Sequence, residues 1–134
     1  MDLKRDEIKY VRDLAKSSYQ KDKECFICGT EAELQFHHFY SMTLLWNKWK
    51  REHGIVIDSV DDIKVERENF KGYHYKEIYS ETVTLCKFHH MERLHKIYGK
   101  VPALGTAEKQ KRWCDKQRIK HQEKMNVNSI KEQG

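Results

Sequence analysis

Residues 82–99 read TVTLCKFHHMERLHKIYG. A β-branched run ends on Cys86, two residues separate Cys86 from His89, and a second histidine, His90, follows directly. The run from Thr82 to Cys86 has the composition of a strand. The residues after it read as a helix closed by Gly99. A matching half-site lies upstream, in Cys25-Phe-Ile-Cys28-Gly29, and the stretch LQFHHFY from Leu34 to Tyr40 alternates as a second strand does. Two thiolates with two residues between them can bind one tetrahedral zinc ion, and Cys25, Cys28, Cys86 and His89 supply a full set of four ligands. Two strands, a cysteine knuckle beside each and a helix after the second predict a small α+β fold stapled by structural Zn²⁺.

Composition says why a staple is needed. The chain has 134 residues, 35% of them charged and 38% hydrophobic, with a mean hydropathy of −0.93. That leaves room for one domain with a modest core. The two knuckles enclose 57 residues (29–85), and closing such a loop costs about 3–4 kcal/mol. A structural zinc site contributes roughly 10–16 kcal/mol, which offsets the closure several times over. A disulfide framework fits less well, because the start MDLKRDEIKYVRDL has no apolar signal region. A redox pair would need a βαβ context that the flanking residues do not provide. Cys114 reads as a small helix-packing residue. No apolar run approaches a membrane span, so the expectation is a soluble, cytoplasmic protein with no membrane partner.

Outside the knuckles, Ile8, Val11 and Leu14 mark an amphipathic helix within residues 1–20. Met42, Leu45, Trp46 and Trp49 mark another, with Ser41 as its N-cap and Gly54 as its stop. Residues 55–81 stay unassigned apart from a turn at Lys71-Gly72. A basic helix spans residues 105–125, with Trp113 and Ile119 as its apolar anchors, and the tail beyond it is expected to fray. Charge is uneven: residues 1–86 hold 14 Lys/Arg against 16 Asp/Glu, and residues 87–124 hold 11 against 4. Such a basic third fits a polyanion binder, and equally a solvated Lys-rich helix face.

The histidines cluster in two adjacent pairs, His37-His38 and His89-His90, with His95 a little further on. Neighbours on a strand point to opposite faces. His37 and His38 therefore cannot both bind one ion on a regular strand, and one ligand plus one catalytic base is the natural division.

In order, Cys25-x-x-Cys28-Gly29, His37-His38-Phe39-Tyr40, Thr84-Leu85-Cys86-x-x-His89-His90 and Leu94-His95-Lys96-Ile97-Tyr98-Gly99 resemble the HNH (His-Me finger, ββα-metal) endonucleases, in particular zinc-stapled members of phage and mobile-element type. The resemblance covers residues 22–100. It implies a ββα-metal core flanked by helices at 1–20 and 105–125, with an insertion at 41–80 between the motif halves. It implies a general base at His38, a catalytic-metal ligand at His37, a second at His90 and a third metal-facing histidine at His95. The family's middle Asn falls on Glu81, which then has the task of orienting the base unless a backbone carbonyl does so. His90 and His95 are five apart, about 140° on an ideal helix, so joint ligation needs a kink or bulge. The insertion, with Trp46, Trp49 and His53, reads as a lid, a DNA-reading element or an aromatic core stripe.

The expected function is metal-dependent hydrolysis of DNA phosphodiester bonds, by nicking or double-strand cutting, in the host cytoplasm if the chain is phage-encoded. It would use one divalent ion (Mg²⁺, Mn²⁺, Ni²⁺ or Zn²⁺) and act as a monomer or homodimer on duplex DNA. Lys109, Lys111, Arg112, Lys116, Arg118 and Lys120 are the expected phosphate contacts. The rival expectation is a catalytically inactive, zinc-stabilised nucleic-acid-binding module. A structural protein with core histidines is the third; for it alone, His38→Ala destabilises the fold.

Overall fold

A computed structural model describes the backbone of residues 3–133 and the side chains of residues 6–127. Helix α1 (Leu3–Lys16) leads into the first knuckle, which Gly29 closes in the left-handed region (φ 74°) as its N–H donates to the Cys25 carbonyl. Strand β1 (Leu34–His38) follows. Helix α2 (Met42–His53) is capped by the Ser41 side chain, which accepts from the Leu44 N–H, and stops at Gly54 (φ 61°). Both caps fall where the sequence places them.

Helix α3 (Val60–Tyr73) occupies the stretch left unassigned, opened by a Ser59/Asp62 capping box. The turn expected at Lys71-Gly72 does not form. The helix runs through both residues and ends at Tyr73, because the apolar anchors Ile63 and Phe70 hold it against the core. A short π-helical segment (Lys76–Ser80) then leads into strand β2 (Thr82–Cys86). The helix after β2 begins as a second π-helical segment (Phe88–Leu94) and continues as α4 (His95–Tyr98). A 3₁₀ turn (Leu104–Thr106) opens α5 (Ala107–Gln133), whose backbone stays helical through the tail that was expected to fray.

The two strands pair antiparallel, with Leu34 opposite Cys86 and His38 opposite Thr82. This register sets the two knuckles side by side at one end and the His37-His38 pair at the other. Two apolar clusters flank the ribbon. One gathers Val11 and Ala15 of α1, Trp46 and Trp49 of α2, Phe70 of α3 and Ile78. The other gathers Cys25, Ile27, Phe39, Leu85, Cys86, Leu94 and the α5 residues Ala107 and Cys114. Tyr40 packs against both. Residues 41–80 thus form an aromatic core on α1, with Trp46 fully buried. Cys114 is buried packing, as expected, but Ile119 is 53% exposed and anchors nothing. The buried stripe of α5 is Ala107, Gln110 and Cys114, at i, i+3 and i+7. Among the described residues, no helix is long and apolar enough to cross a membrane.

Candidate active site and metal centres

The knuckles bring Cys25, Cys28, Cys86 and His89 together, with their ligand atoms all within 4.8 Å of one another. The Cys28 and Cys86 sulfurs are 3.9 Å apart, and His89 Nδ1 lies 3.3 Å from Cys86 Sγ and 3.9 Å from Cys25 Sγ. Zn–S bonds of about 2.3 Å put tetrahedral ligand atoms roughly 3.8 Å apart, so the four atoms fit such an ion. Burial pushes the Cys25 thiol up, but the backbone N–H groups of Cys28, Cys86 and Ile27 outweigh it, and its acidity lies on the thiolate side of ordinary. Burial raises Cys28 to about 11. Burial also holds His89 below the usual histidine range, in the neutral form that binds metal. The geometry is tied from outside the set: Glu33, in the left-handed region at φ 51°, accepts from the Lys87 N–H with its carbonyl. The four residues can hold a structural metal such as zinc.

At the other end of the ribbon, β1 sends its neighbouring histidines to opposite faces. Gln35, His37 and Phe39 face the second π-helical segment and α5, whereas Phe36 and His38 face Tyr19 and α1. His37 is 3% exposed. It meets His90 and His95 in a second group of potential ligands, again with all ligand atoms within 4.8 Å of one another. His90 Nε2 lies 3.0 Å from both His37 Nδ1 and His95 Nε2.

The five-residue spacing is resolved by the π-helical segment. There the His95 N–H donates to the His90 carbonyl, an i→i+5 bond, so the two residues stack one turn apart. His95 therefore joins His90 on one face, which an α-helix would forbid.

The proton positions in this cluster follow from the outer partners. His37 Nε2 donates to Gln110 Oε1 at 2.8 Å, His90 Nδ1 to Gln35 Oε1 at 2.8 Å, and His95 Nδ1 to the Gly99 carbonyl at 2.7 Å. Each oxygen can only accept, so each ring carries its proton on the outer nitrogen. Three bare nitrogens then converge with no hydrogen to share, a set of lone pairs that could hold a metal ion. Gln110 is itself fixed, because its Nε2 donates to the Phe39 carbonyl (3.2 Å) and to Thr106 Oγ1 (2.9 Å), which sets the orientation of its amide. Burial pushes His37 down to about 3, against the raising effect of its Gln110 hydrogen bond, and pushes His90 down to about 4 with help from His95. Both are neutral, as ligands must be.

On the opposite face, the His38 ring bonds to the Ile78 backbone, and its Nε2 is buried without a partner. Burial lowers His38 to about 4, the Ile78 bond opposes this, and Arg12 adds to it. Glu81 does not meet His38. Its carboxylate pairs with Lys111 and, at 3.9 Å, with Lys76. The neighbour that the His38 ring does have is the Ile78 backbone. Lys111 is likewise turned inward, over the Phe39 ring and onto Glu81 and Glu108. Lys109, Arg112, Lys116, Arg118 and Lys120 are exposed on α5, and the Arg118 guanidinium lies 4.6 Å from the centre of the Phe26 ring.

The residues missed from sequence are Gln110, Gln35 and the carbonyls of Gly99 and Ile78. Only Gln110 left a signal: with Ala107 and Cys114 it forms the uncharged stripe of an otherwise charged helix.

Fold and sites together define a small, mostly helical α+β protein with a two-stranded ribbon, one Cys₃His metal-binding group and one three-histidine group. The chain belongs to the nicking endonuclease family, whose phage T5 nicking endonuclease model matches residues 1–132. Membership makes it a DNA-cleaving nuclease of a phage family. No solved structure matches it.

Proposed function

We propose that this chain nicks duplex DNA by metal-assisted hydrolysis in an HNH arrangement built on residues 22–100. The observation that carries the reading is the convergence of three bare imidazole nitrogens, from His37, His90 and His95, one strand position from a buried, unpartnered His38 Nε2. His37, His90 and His95 would hold one divalent cation, which stabilises charge on the scissile phosphate and the leaving oxygen when bound.

The remaining work falls to the chain. Gln110, Gln35 and the Gly99 carbonyl hold the three rings in the tautomer that presents lone pairs. The Ile78 carbonyl holds the His38 proton on the outer nitrogen, so Nε2 is free to take a proton from the attacking water. The structural zinc on Cys25, Cys28, Cys86 and His89 keeps β1 and β2 in the register that sets these groups together. Exposed Lys109, Arg112, Lys116, Arg118 and Lys120 meet phosphates outside the site; Lys111, committed to Glu81, is left out of that set. One such site cuts one strand, in keeping with a family named for nicking.

The test is conversion of supercoiled plasmid to open circles with Mg²⁺, Mn²⁺ or Ni²⁺, comparing wild type with His38→Ala at equal zinc content and thermal stability. Loss of a general base lowers the rate by about 10²–10⁴-fold. Nicking by His38→Ala at the wild-type rate refutes the assignment of the base. If neither protein cuts with any ion while both retard DNA, the zinc-stabilised binding module replaces the enzyme.

A further inference from the structure

A concavity lies away from α5, between α1 and β1, with a volume of about 690 Å³. Its rim carries Lys9, Arg12 and Lys16 of α1 and Lys21 from the following loop, against a single carboxylate, Asp13. His38 lies in its wall. Two of the cations are held in place: Arg12 Nη2 donates to Thr43 Oγ1 at 3.2 Å, and Lys21 Nζ to the Leu34 carbonyl at 3.2 Å. Lys9 and Lys16 are exposed. Positions 9, 12 and 16 share one face of a helix, and at 1.5 Å per residue they span about 10 Å.

We propose that this groove seats the sugar–phosphate backbone of the strand to be cut, so that α1, rather than the basic helix α5, delivers the scissile phosphate to the active site. The proposal rests on the nuclease reading above and adds the surface that the substrate occupies. Three observations support it. The groove combines an excess of positive charge, which suits a phosphodiester, with His38, the residue read above as the general base, in its wall. Its volume falls in the roughly 300–1,000 Å³ range of sites that enclose small ligands. It therefore takes a few nucleotides of one strand, not a whole duplex. A span of about 10 Å corresponds to some three nucleotides at a rise of 3.4 Å per strand phosphate. The exposed cations of α5 are spread around most of that helix, so they can add affinity without placing a bond beside His38.

The experiment measures binding of the zinc-loaded full chain to a 20-base-pair DNA duplex by fluorescence anisotropy across a salt series, with no other divalent ion. Wild type is compared with Lys9→Gln/Lys16→Gln and with Lys9→Arg/Lys16→Arg. Plasmid nicking is measured for all three. Each phosphate contact contributes about 0.9 to the slope of log affinity against log salt, so the Gln pair lowers the slope by about 1.8 and slows nicking. The Arg pair, which keeps the charge, restores both. An unchanged slope and nicking rate in the Gln pair, with wild type binding and cutting normally, overturns the groove and leaves the nuclease reading standing. A wild type that neither binds nor cuts overturns both.

Discussion

Replacing Gln110 by Leu keeps the volume of a fully buried side chain and removes only its amide. In the wild type that amide accepts from His37 Nε2 at 2.8 Å and donates to the Phe39 carbonyl and to Thr106 Oγ1. Without it, the His37 proton has no acceptor on the α5 side. The ring can escape the loss by moving its proton to Nδ1, which then donates to His90 Nε2 only 3.0 Å away. That move repairs the metal-free protein at the expense of the site, since the nitrogen that faced the cation now carries hydrogen. The consequences therefore separate. Thermodynamic stability without the second metal falls by about 1–3 kcal/mol, the cost of leaving the Phe39 carbonyl unpaired. Affinity for the second metal falls about 10–100-fold, as for the loss of an outer partner of a histidine ligand. Gln110→Glu retains an acceptor for His37 Nε2 and keeps more of the affinity. Calorimetric titration of Co²⁺ or Ni²⁺ into zinc-loaded protein, with denaturant unfolding alongside, measures both quantities. Wild-type metal affinity in Gln110→Leu would refute the assignment of the His37 tautomer and, with it, the case for three converging lone pairs.

Three further outcomes follow from the same structure. Stripping the Cys₃His site with a strong chelator, or replacing Cys28 by Ser, unfolds the half of the molecule around Leu85 and Leu94, seen as lost amide protection there; full protection in metal-free protein would show that the staple is dispensable. Burial holds His37 near 3 in the folded state, below its ordinary value, so the unfolded chain binds the proton first as pH falls. Its contribution is intact above about pH 6.5 and shrinks below that, by about 2 kcal/mol at pH 5. The stability of His37→Asn measured between pH 7.5 and 5 is flatter than wild type by that amount, and parallel curves would count against it. Glu7 is buried at the α1–α2 contact, where its Oε1 accepts from Trp46 Nε1 at 2.8 Å and pairs with Lys50; Glu7→Ala costs roughly 3 kcal/mol because both partners lose their acceptor, and a shift under 1 kcal/mol in chemical denaturation would contradict this.

The parts of the molecule that could be read in the sequence are those where chemistry dictates spacing. Cys25-x-x-Cys28 and Cys86-x-x-His89 state their own geometry, and Ser41 and Gly54 mark both ends of α2 because caps use few residue types. The alternation of LQFHH separates His37 from His38 correctly. What could not be read depends on contacts distant in sequence. Gly72 suggested a turn, but it faces open space in α3, where a glycine costs only propensity, and Phe70 two residues earlier holds the helix in place. The apolar count of α5 pointed to Trp113 and Ile119; Trp113 does pack on the core, but Ile119 is exposed, and the buried stripe is Ala107, Gln110 and Cys114, one of them polar. Gln110 matters because His37 lies opposite it, 73 residues away. Likewise Lys111 pairs with Glu81, a contact that only the tertiary structure reveals.

The π-helical segment at Phe88–Leu94 has a consequence beyond bringing His95 to His90. An extra residue in an α-helix turns everything after it by about 100°, which here would swing Tyr98 and the Gly99 carbonyl away from their places. A widened turn absorbs the surplus residue locally, so the chain enters and leaves the segment in the phase that keeps Leu94 buried. Spacing between the two histidines and orientation of the downstream chain are thereby uncoupled. Shortening the segment by one exposed residue, such as Met91, would leave a plain helical turn with four residues between register points and the same surroundings. The three-histidine cluster can thus be re-spaced within one turn, with β1, β2 and α5 left where they are.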